Sequence, residues 1–424
     1  MLRWSALAVV GALAVGCSAT GASADSESGA ITDRVPVAVR DQRETGNCWL
    51  FATAAWIEHH ETIALRERAP DAVAEPLSVA YLDYWDWYEK ITRGRLVGEA
   101  ARDLVDELDS GGTWGAATEL VLKYGVVRRR DFHGFGGQGA ATKDATSVER
   151  AKKALATSLA DGALRTKASR QNGALVRREL DAAFELSDRT SRAITEVFGK
   201  DGATNFTSGA AAALPIGSPK ELLVAAPKPD GSRPVVALTE LIGKRARGGN
   251  PDVRTGAHAW TSVPFTANSA RETRVFFRRI QRALHAGAAL PFAWFYPSNA
   301  DADGSGEFRS VPEEPGDDVE SVEHETLMVD YEADGVPGFG ALKAGTTASP
   351  EAREAALHDD TKIRFFRAVD SYGVLHEGRR RDTSDLYVDY LLGEFVTCPK
   401  GVMPPSRHCE KHRGFVEVTL PNGF

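Results

Sequence analysis

The chain has 424 residues, 51 Lys and Arg against 59 Asp and Glu, a net charge of −8, and four cysteines. At roughly 100–200 residues per domain, this is about two or three domains with enough apolar surface for a real core, which excludes a disordered chain and a disulfide-stapled scaffold. The acidic balance argues against a nucleic-acid partner, which calls for a basic face to neutralise phosphates.

Residues 1–24, MLRWSALAVVGALAVGCSATGASA, place one positive charge, Arg3, ahead of an apolar run from Trp4 to Gly16. That run is too short to span a bilayer as a helix and reads as a secretory signal peptide. Two processing routes fit it. Leu13-Ala14-Val15-Gly16-Cys17 resembles a bacterial lipoprotein box, in which Cys17 carries the lipid, and Ala22-Ser23-Ala24 has the A-x-A spacing of an ordinary cleavage site. Both outcomes place the mature chain outside the cytoplasm, secreted or held at the membrane by an N-terminal lipid anchor.

A polar linker over 25–34 leads to NCWLFATAAWIEHHETIALRER at 47–68, where Trp49, Ala52, Trp56 and Ile63 mark one face of an amphipathic helix with Asn47 as its N-cap. His59 and His60 fall within this helix in a solvated or structural role. Helical patterns follow over Val79–Ile91 and Ala116–Tyr124, with a Gly111-Gly112 turn between them. Tyr81, Tyr84, Trp85, Trp87 and Tyr88 have the helical spacing of core residues. Residues 141–200, rich in Ala, Arg, Glu and Lys and free of Pro, predict two or three solvent-facing helices, and 201–256 read as long loops. A helix over Arg271–His285 leads to the strand-like LPFAWFYP at 290–297, and strand patterns recur at Thr326–Tyr331, Ile363–Asp370 and Gly414–Leu420. Helices first and strands later give an α+β fold of two lobes with a helical insertion between them.

Cys48 sits in the first turn of the 47–68 helix, where unpaired N–H groups and the helix dipole stabilise a thiolate. Gln42 lies six residues earlier in DQRETGNCW, a spacing across a glycine-bearing turn that can bring an amide donor back beside the helix start. Together with the Cys48 backbone N–H it would form an oxyanion hole for acyl transfer. Such a nucleophile needs a histidine base and a third group to orient it.

Val39-Arg40-Asp41-Gln42 followed by Gly46-Asn47-Cys48-Trp49-Leu50-Phe51-Ala52 resembles the active-site segment of papain-like cysteine proteases. Trp-Leu-Phe after the cysteine leans towards the bleomycin hydrolase and aminopeptidase C branch. Leu77-Ser78-Val79-Ala80-Tyr81-Leu82, the stretch from Gly111-Gly112-Thr113-Trp114 to Val127, and Ala283-Leu284-His285-Ala286-Gly287 before Pro291 are similar to segments of that branch in the same order. The resemblance covers about two thirds of the chain. It implies a papain-like fold of a helical lobe and a β-barrel-like lobe, with four segments: the signal peptide at 1–24, a helical lobe with the nucleophile at 25–140, an insertion at 141–264, and a β-rich lobe with the catalytic His and Asp at 265–424.

By this resemblance His324, heading the strand Glu323-His324-Glu325-Thr326-Leu327, is the base, with His258 in Gly256-Ala257-His258-Ala259-Trp260 as the competitor on the wrong side of the 290–297 strand. Glu325 stands where the family has a small Ala. Asp370 and Tyr372 in Ala368-Val369-Asp370-Ser371-Tyr372-Gly373 occupy the places of the family's Asn and Trp. Aspartate can do the orienting work, because it accepts the imidazole N–H and favours the imidazolium. The implied set is Cys48, His324 and Asp370 as catalytic residues, Gln42 in the oxyanion hole, and Gly111 and Gly112 offering backbone to an extended substrate.

Cys398 and Cys409, ten residues apart in an extracytoplasmic chain, read as one disulfide; a zinc site with His408 and His412 matches no strong ligand spacing. Asp301-Ala302-Asp303-Gly304 resembles the start of a calcium loop but has Pro312 where the bidentate Glu belongs, so a surface turn is the reading. No cofactor or metal is expected. The expected function is an extracytoplasmic cysteine peptidase acting on peptide or protein substrates. The C-terminus does not resemble the arm that makes the branch an exopeptidase, so endopeptidase, aminopeptidase and acyl transfer stay open. The alternative is a catalytically inactive papain-like binding domain at the cell surface. Oligomeric state is not legible.

Overall fold

The computed structural model describes residues 40–93, 101–132, 140–204, 214–297, 304–311, 321–372, 381–397 and 409–424. The signal segment with Cys17, Cys398 of the expected bridge, His408, and Asp301 to Asp303 with Pro312 lie outside these residues. The fold is mixed α+β: helices occupy the first half of the chain, and the strands of the main sheet fall between Trp260 and Pro421.

Helix α1 (Cys48–Arg66) runs through the middle. The sequence pattern predicts one apolar face, but α1 is buried on all sides from Trp49 to Ala64. Its polar residues are covered because each finds a partner. Glu58 pairs with Arg40 and accepts from the Leu77 N–H at 2.6 Å, and Glu61 takes Arg128 at 2.9 Å. His59 Nε2 meets the Gly287 carbonyl at 3.0 Å, and His60 sits edge-on to Trp56 and Trp260, its imidazolium strongly disfavoured by burial and by His59. Both histidines are structural rather than solvated.

Helix α2 (Val79–Thr92) is capped by Ser78, whose side chain accepts from the Tyr81 N–H, and its aromatic run is core: Trp85 stacks on Tyr124 with centroids 3.9 Å apart. Helix α3 (Ala101–Leu108) precedes α4 (Trp114–Tyr124), which begins at its Thr113 N-cap and ends at Gly125, φ 72°. Three further helices, α5 (Ala140–Ala160), α6 (Gly173–Ala183) and α7 (Asp188–Phe198), fill the region expected to face solvent. Instead each buries an apolar stripe, through Ala151, Leu155 and Leu159, through Val176 and Leu180, and through Ile194 and Phe198, in the same core as α1 and α2. Their charged residues hide this stripe in composition, whereas the i, i+4 spacing carries it. Tyr84 of α2 binds them by donating to Asp181 and accepting from Arg177, each at 2.6 Å.

Helix α8 (Ala270–His285) feeds the main sheet, whose strands, numbered along the chain, are β1 (Trp260–Pro264), β2 (Leu290–Pro297), β3 (Glu307–Phe308), β4 (Ser321–Val336), β5 (Gly340–Leu342), β6 (Lys362–Val369), β7 (Thr383–Tyr387) and β8 (Phe415–Pro421). Their order is β1-β8-β2-β4-β6-β7-β3, with β5 added to β4, and the pairing is antiparallel except between β7 and β3. The expected barrel-like lobe is therefore an open sheet. Its ends, β1 and the two-residue β3, do not pair with each other among the described residues, so twist is not carried on to closure. Strand β4 packs against α1, which sets the start of the helix against the sheet.

Candidate active site

The loop before α1 is shaped by close approach. A Cβ on Gly46 would lie 2.2 Å from the Asp109 carbonyl oxygen, and the Gly46 N–H donates to Asp109 Oδ1 at 2.9 Å. Arg43 takes a positive φ of 53°. Asn47 is the N-cap residue as expected, but its side chain makes no capping bond. It donates to Asp83 at 2.8 Å and accepts from Thr45 at 2.7 Å, so the start of α1 is anchored to α2.

Cys48 opens α1, half-buried, and is the free cysteine of the described residues. Opposite it on β4 stands His324, buried and in hydrogen-bond contact with the cysteine. The next residue's backbone reaches the same sulfur, with Glu325 N 3.5 Å from Cys48 Sγ. His324 Nε2 lies 2.9 Å from Asp370 Oδ1. Burial alone would depress the His324 imidazolium. The charge and hydrogen bond of Asp370, and those of Cys48, outweigh it and push the imidazole up to about 10.

Asp370 is itself held at both oxygens: Oδ1 also accepts from the Tyr372 N–H at 3.0 Å, and Oδ2 from Ser384 Oγ at 2.6 Å. Tyr372 lies nearly parallel to the His324 ring with centroids 5.1 Å apart, covering it as an indole in that place would. Burial, with the charges of Cys48 and Asp370, holds its phenol protonated far above its ordinary range.

Gln42 is buried and joined to this loop. Its N–H donates to the Ser371 carbonyl at 3.0 Å, its Oε1 accepts from Ser371 Oγ, and its Nε2 donates to Thr45 O at 2.7 Å and to Tyr372 Oη at 3.2 Å. Gly111, φ 74°, and Gly112 lie against Gly46 and Trp49, on either side of Asn47 and Cys48 in the chain. A Cβ on Gly112 would lie 2.7 Å from the Trp49 indole, and Lys90 Nζ pins the turn by donating to the Leu108 and Gly111 carbonyls at 2.9 and 3.2 Å. Cys48, His324, Asp370, Gln42, Gly111 and Gly112 are thus brought together. His258 sits in the turn between Arg254–Thr255 and β1, away from this group. Sequence reasoning passed over Ser384, whose place beside Asp370 depends on the pairing of β6 with β7 and has no local signal. It also passed over Asp252, which accepts from Thr113 Oγ1 at 2.7 Å and from the Gly115 N–H at 2.9 Å at the start of α4. Among the described residues, no group of three or more His, Cys, Asp or Glu could hold a metal ion, and no helix is long and apolar enough to cross a membrane.

A thiol in the first turn of a buried helix, an imidazole whose charged form a buried carboxylate favours, and a glycine turn close by match the arrangement expected from the sequence. Residues 25–185 match the model of the Peptidase C1-like family. Aminopeptidase W of Lactobacillus delbrueckii subsp. lactis is 31% identical over 102 residues, a stretch that spans 22% of this chain and 22% of that protein. Among solved structures, PepW from Lactobacillus rhamnosis HN001 is 11% identical with a TM-score of 0.40, covering 92% of this chain and 82% of that one. Xylellain, a cysteine protease from Xylella fastidiosa, is 13% identical with a TM-score of 0.35, over 92% and 85% respectively.

Proposed function

We propose that the protein is an extracytoplasmic cysteine peptidase in which Cys48, His324 and Asp370 act as nucleophile, base and orienting group. The observation that carries this is the contact of one buried imidazole with both the Cys48 sulfur and the Asp370 carboxylate. The Cys48 thiolate adds to the peptide carbonyl, and the oxyanion formed is taken by the Cys48 N–H, a first-turn donor without an intrahelical acceptor, and by Gln42 Nε2. The Gln42 hydrogen for this role is the one on Tyr372 Oη, the longer of its two bonds. As the intermediate collapses, the C–N bond breaks and His324 passes its proton to the leaving amine, leaving a thioester on Cys48. Neutral His324 then takes a proton from water, which hydrolyses the thioester and restores the thiolate–imidazolium pair.

Gly111 and Gly112 present backbone to the acyl part of an extended peptide. Trimming of N-terminal residues is supported by the name of the matched aminopeptidase. The signal-like segment at 1–24 supports export, with Cys17 as the lipid attachment point, and the Cys398–Cys409 bridge suits that compartment.

The test is alkylation of the purified protein by iodoacetamide at mildly acid pH, with the site mapped by mass spectrometry, alongside turnover of free and N-blocked peptide amides. Rapid labelling at Cys48 with turnover is expected. No labelling and no turnover would leave the inactive binding domain as the better reading.

A further inference from the structure

Tyr372 stands in the place of the family's tryptophan, and its ring acts as a cover. It lies against the His324 imidazole with centroids 5.1 Å apart and 20° between the planes, and Tyr296 flanks both rings. Its backbone is tied as well, by the N–H donated to Asp370 Oδ1 at 3.0 Å and by an antiparallel bridge to Asp41, the neighbour of Gln42. A phenol adds what an indole lacks, a hydroxyl at the end of the ring, and the fold sets that oxygen 3.2 Å from Gln42 Nε2.

The bond between them has a direction. Ser371 Oγ donates to Gln42 Oε1, which fixes the amide's orientation, and of the two amide hydrogens one goes to the Thr45 carbonyl and the other to Tyr372 Oη. Tyr372 Oη is the acceptor here, so the phenol's own hydrogen is not the one in this bond. In the peptidase reading the oxyanion takes the same Gln42 hydrogen, standing about 3 Å from Nε2 on the side where the hydroxyl already lies. Two oxygens crowded on one N–H repel unless a hydrogen lies between them, and the phenol supplies it. The ring is held by its neighbours, so the C–O torsion is all that has to turn. Burial and the charges of Cys48 and Asp370 keep the phenol protonated meanwhile.

We infer that the Tyr372 hydroxyl is a third oxyanion donor, giving a hydrogen bond to the tetrahedral intermediate beside Gln42 Nε2 and the Cys48 N–H. This rests on the peptidase reading. No proton leaves Tyr372: its O–H bond stays whole, the oxyanion gains the hydrogen bond as the C–S bond forms, and gives it up as the C–N bond breaks and the thioester carbonyl appears.

The experiment compares wild type, Tyr372→Phe, Gln42→Ala and the double variant on fluorogenic peptide amides, with kcat expressed per Cys48 site titrated by iodoacetamide. Alkylation displaces iodide from a saturated carbon and builds no oxyanion, so Tyr372→Phe, which keeps the ring over His324, should label at about the wild-type rate. Its kcat should fall about tenfold or more, with KM and the alkaline limb of the pH profile little changed. Tyr372→Trp, a cover without the phenol, should share the loss. The fall should persist when Tyr372→Phe is made in the Gln42→Ala background. Silence there would reduce Tyr372 to a support for the Gln42 amide and overturn the donor. An unchanged or raised kcat in Tyr372→Phe alone would overturn it too, as the mark of a hydroxyl that merely occupies the hole. In both cases wild-type labelling and turnover leave the peptidase standing, whereas their joint absence overturns the peptidase and the donor together.

Discussion

Asp370 faces His324 along a single 2.9 Å contact between Oδ1 and Nε2, while its other oxygen is taken by Ser384. The carboxylate therefore cannot swing away from the ring, and its charge reaches the imidazole in a buried place where it is poorly screened. Together with the Cys48 contact, that charge outweighs burial and pushes the His324 imidazole up to about 10.

The first prediction follows from the sign of that effect. The imidazole is raised from 6.5 to about 10, so its stabilisation of the fold is fully present below about 6.5 and is lost as pH rises through about 10. Asp370→Asn keeps a hydrogen-bond acceptor but removes the charge. The alkaline limb of kcat/KM should move to lower pH, and the stability advantage of wild type over the variant, measured in urea, should shrink between pH 7 and 10. An unmoved alkaline limb would show that Asp370 acts by orientation alone.

Ser384→Ala removes one of the bonds that hold the Asp370 carboxylate. A hydrogen bond to a buried charge is worth about 1–3 kcal/mol. Chemical denaturation should register a loss of that order, with kcat falling more than KM rises, and Ser384→Thr should recover part of it.

Gln42→Ala should lower kcat by about 100-fold or more with little change in KM, the signature of a donor used only for the oxyanion. Because Gln42 also joins Thr45, Ser371 and Tyr372, circular dichroism and Cys48 alkylation should accompany the kinetics. A loss confined to KM would place Gln42 in substrate binding instead.

Gly46→Ala drives a methyl group into the Asp109 carbonyl, which as backbone cannot rotate aside. Overpacking of this kind costs about 1–3 kcal/mol or more. Thermal melting should fall, and labelling of Cys48 should slow, since Gly46 sets the turn into α1. Unchanged labelling with a lowered melting point would separate the turn's structural role from its positioning of the thiol.

Much of the arrangement was legible because its parts are local. Gln42, Gly46 and Cys48 lie within seven residues, and the patterns over Val79–Ile91 and Ile363–Asp370 fall within one residue of α2 and β6 at each end. Other parts were hidden because their meaning is made by pairing. His59 and His60 read as solvated or structural residues of α1; the Gly287 carbonyl and the Trp56 and Trp260 rings make them interior, as Arg40 and Arg128 do for Glu58 and Glu61. The open sheet could not be told from a barrel, since closure depends on whether β1 and β3 meet. Glu325 was visible only as a misfit until the register set Ala293 and Glu417 beside it.

The position of β8 sets an order of events. Although it is the last strand in the chain, it lies second in the sheet, between β1 and β2, and β2 is the strand on which the His324 segment pairs. Cys48 and Glu325, which touch in the finished protein, are 277 residues apart, so every contact of the thiol with the β4 segment waits on long-range closure. A fragment that stops before β4 carries the thiol without His324, and one that lacks β8 has a gap between β1 and β2 in the sheet that holds β4. The thiol and the imidazole proposed to act together are thus joined by tertiary closure, with no local segment holding both.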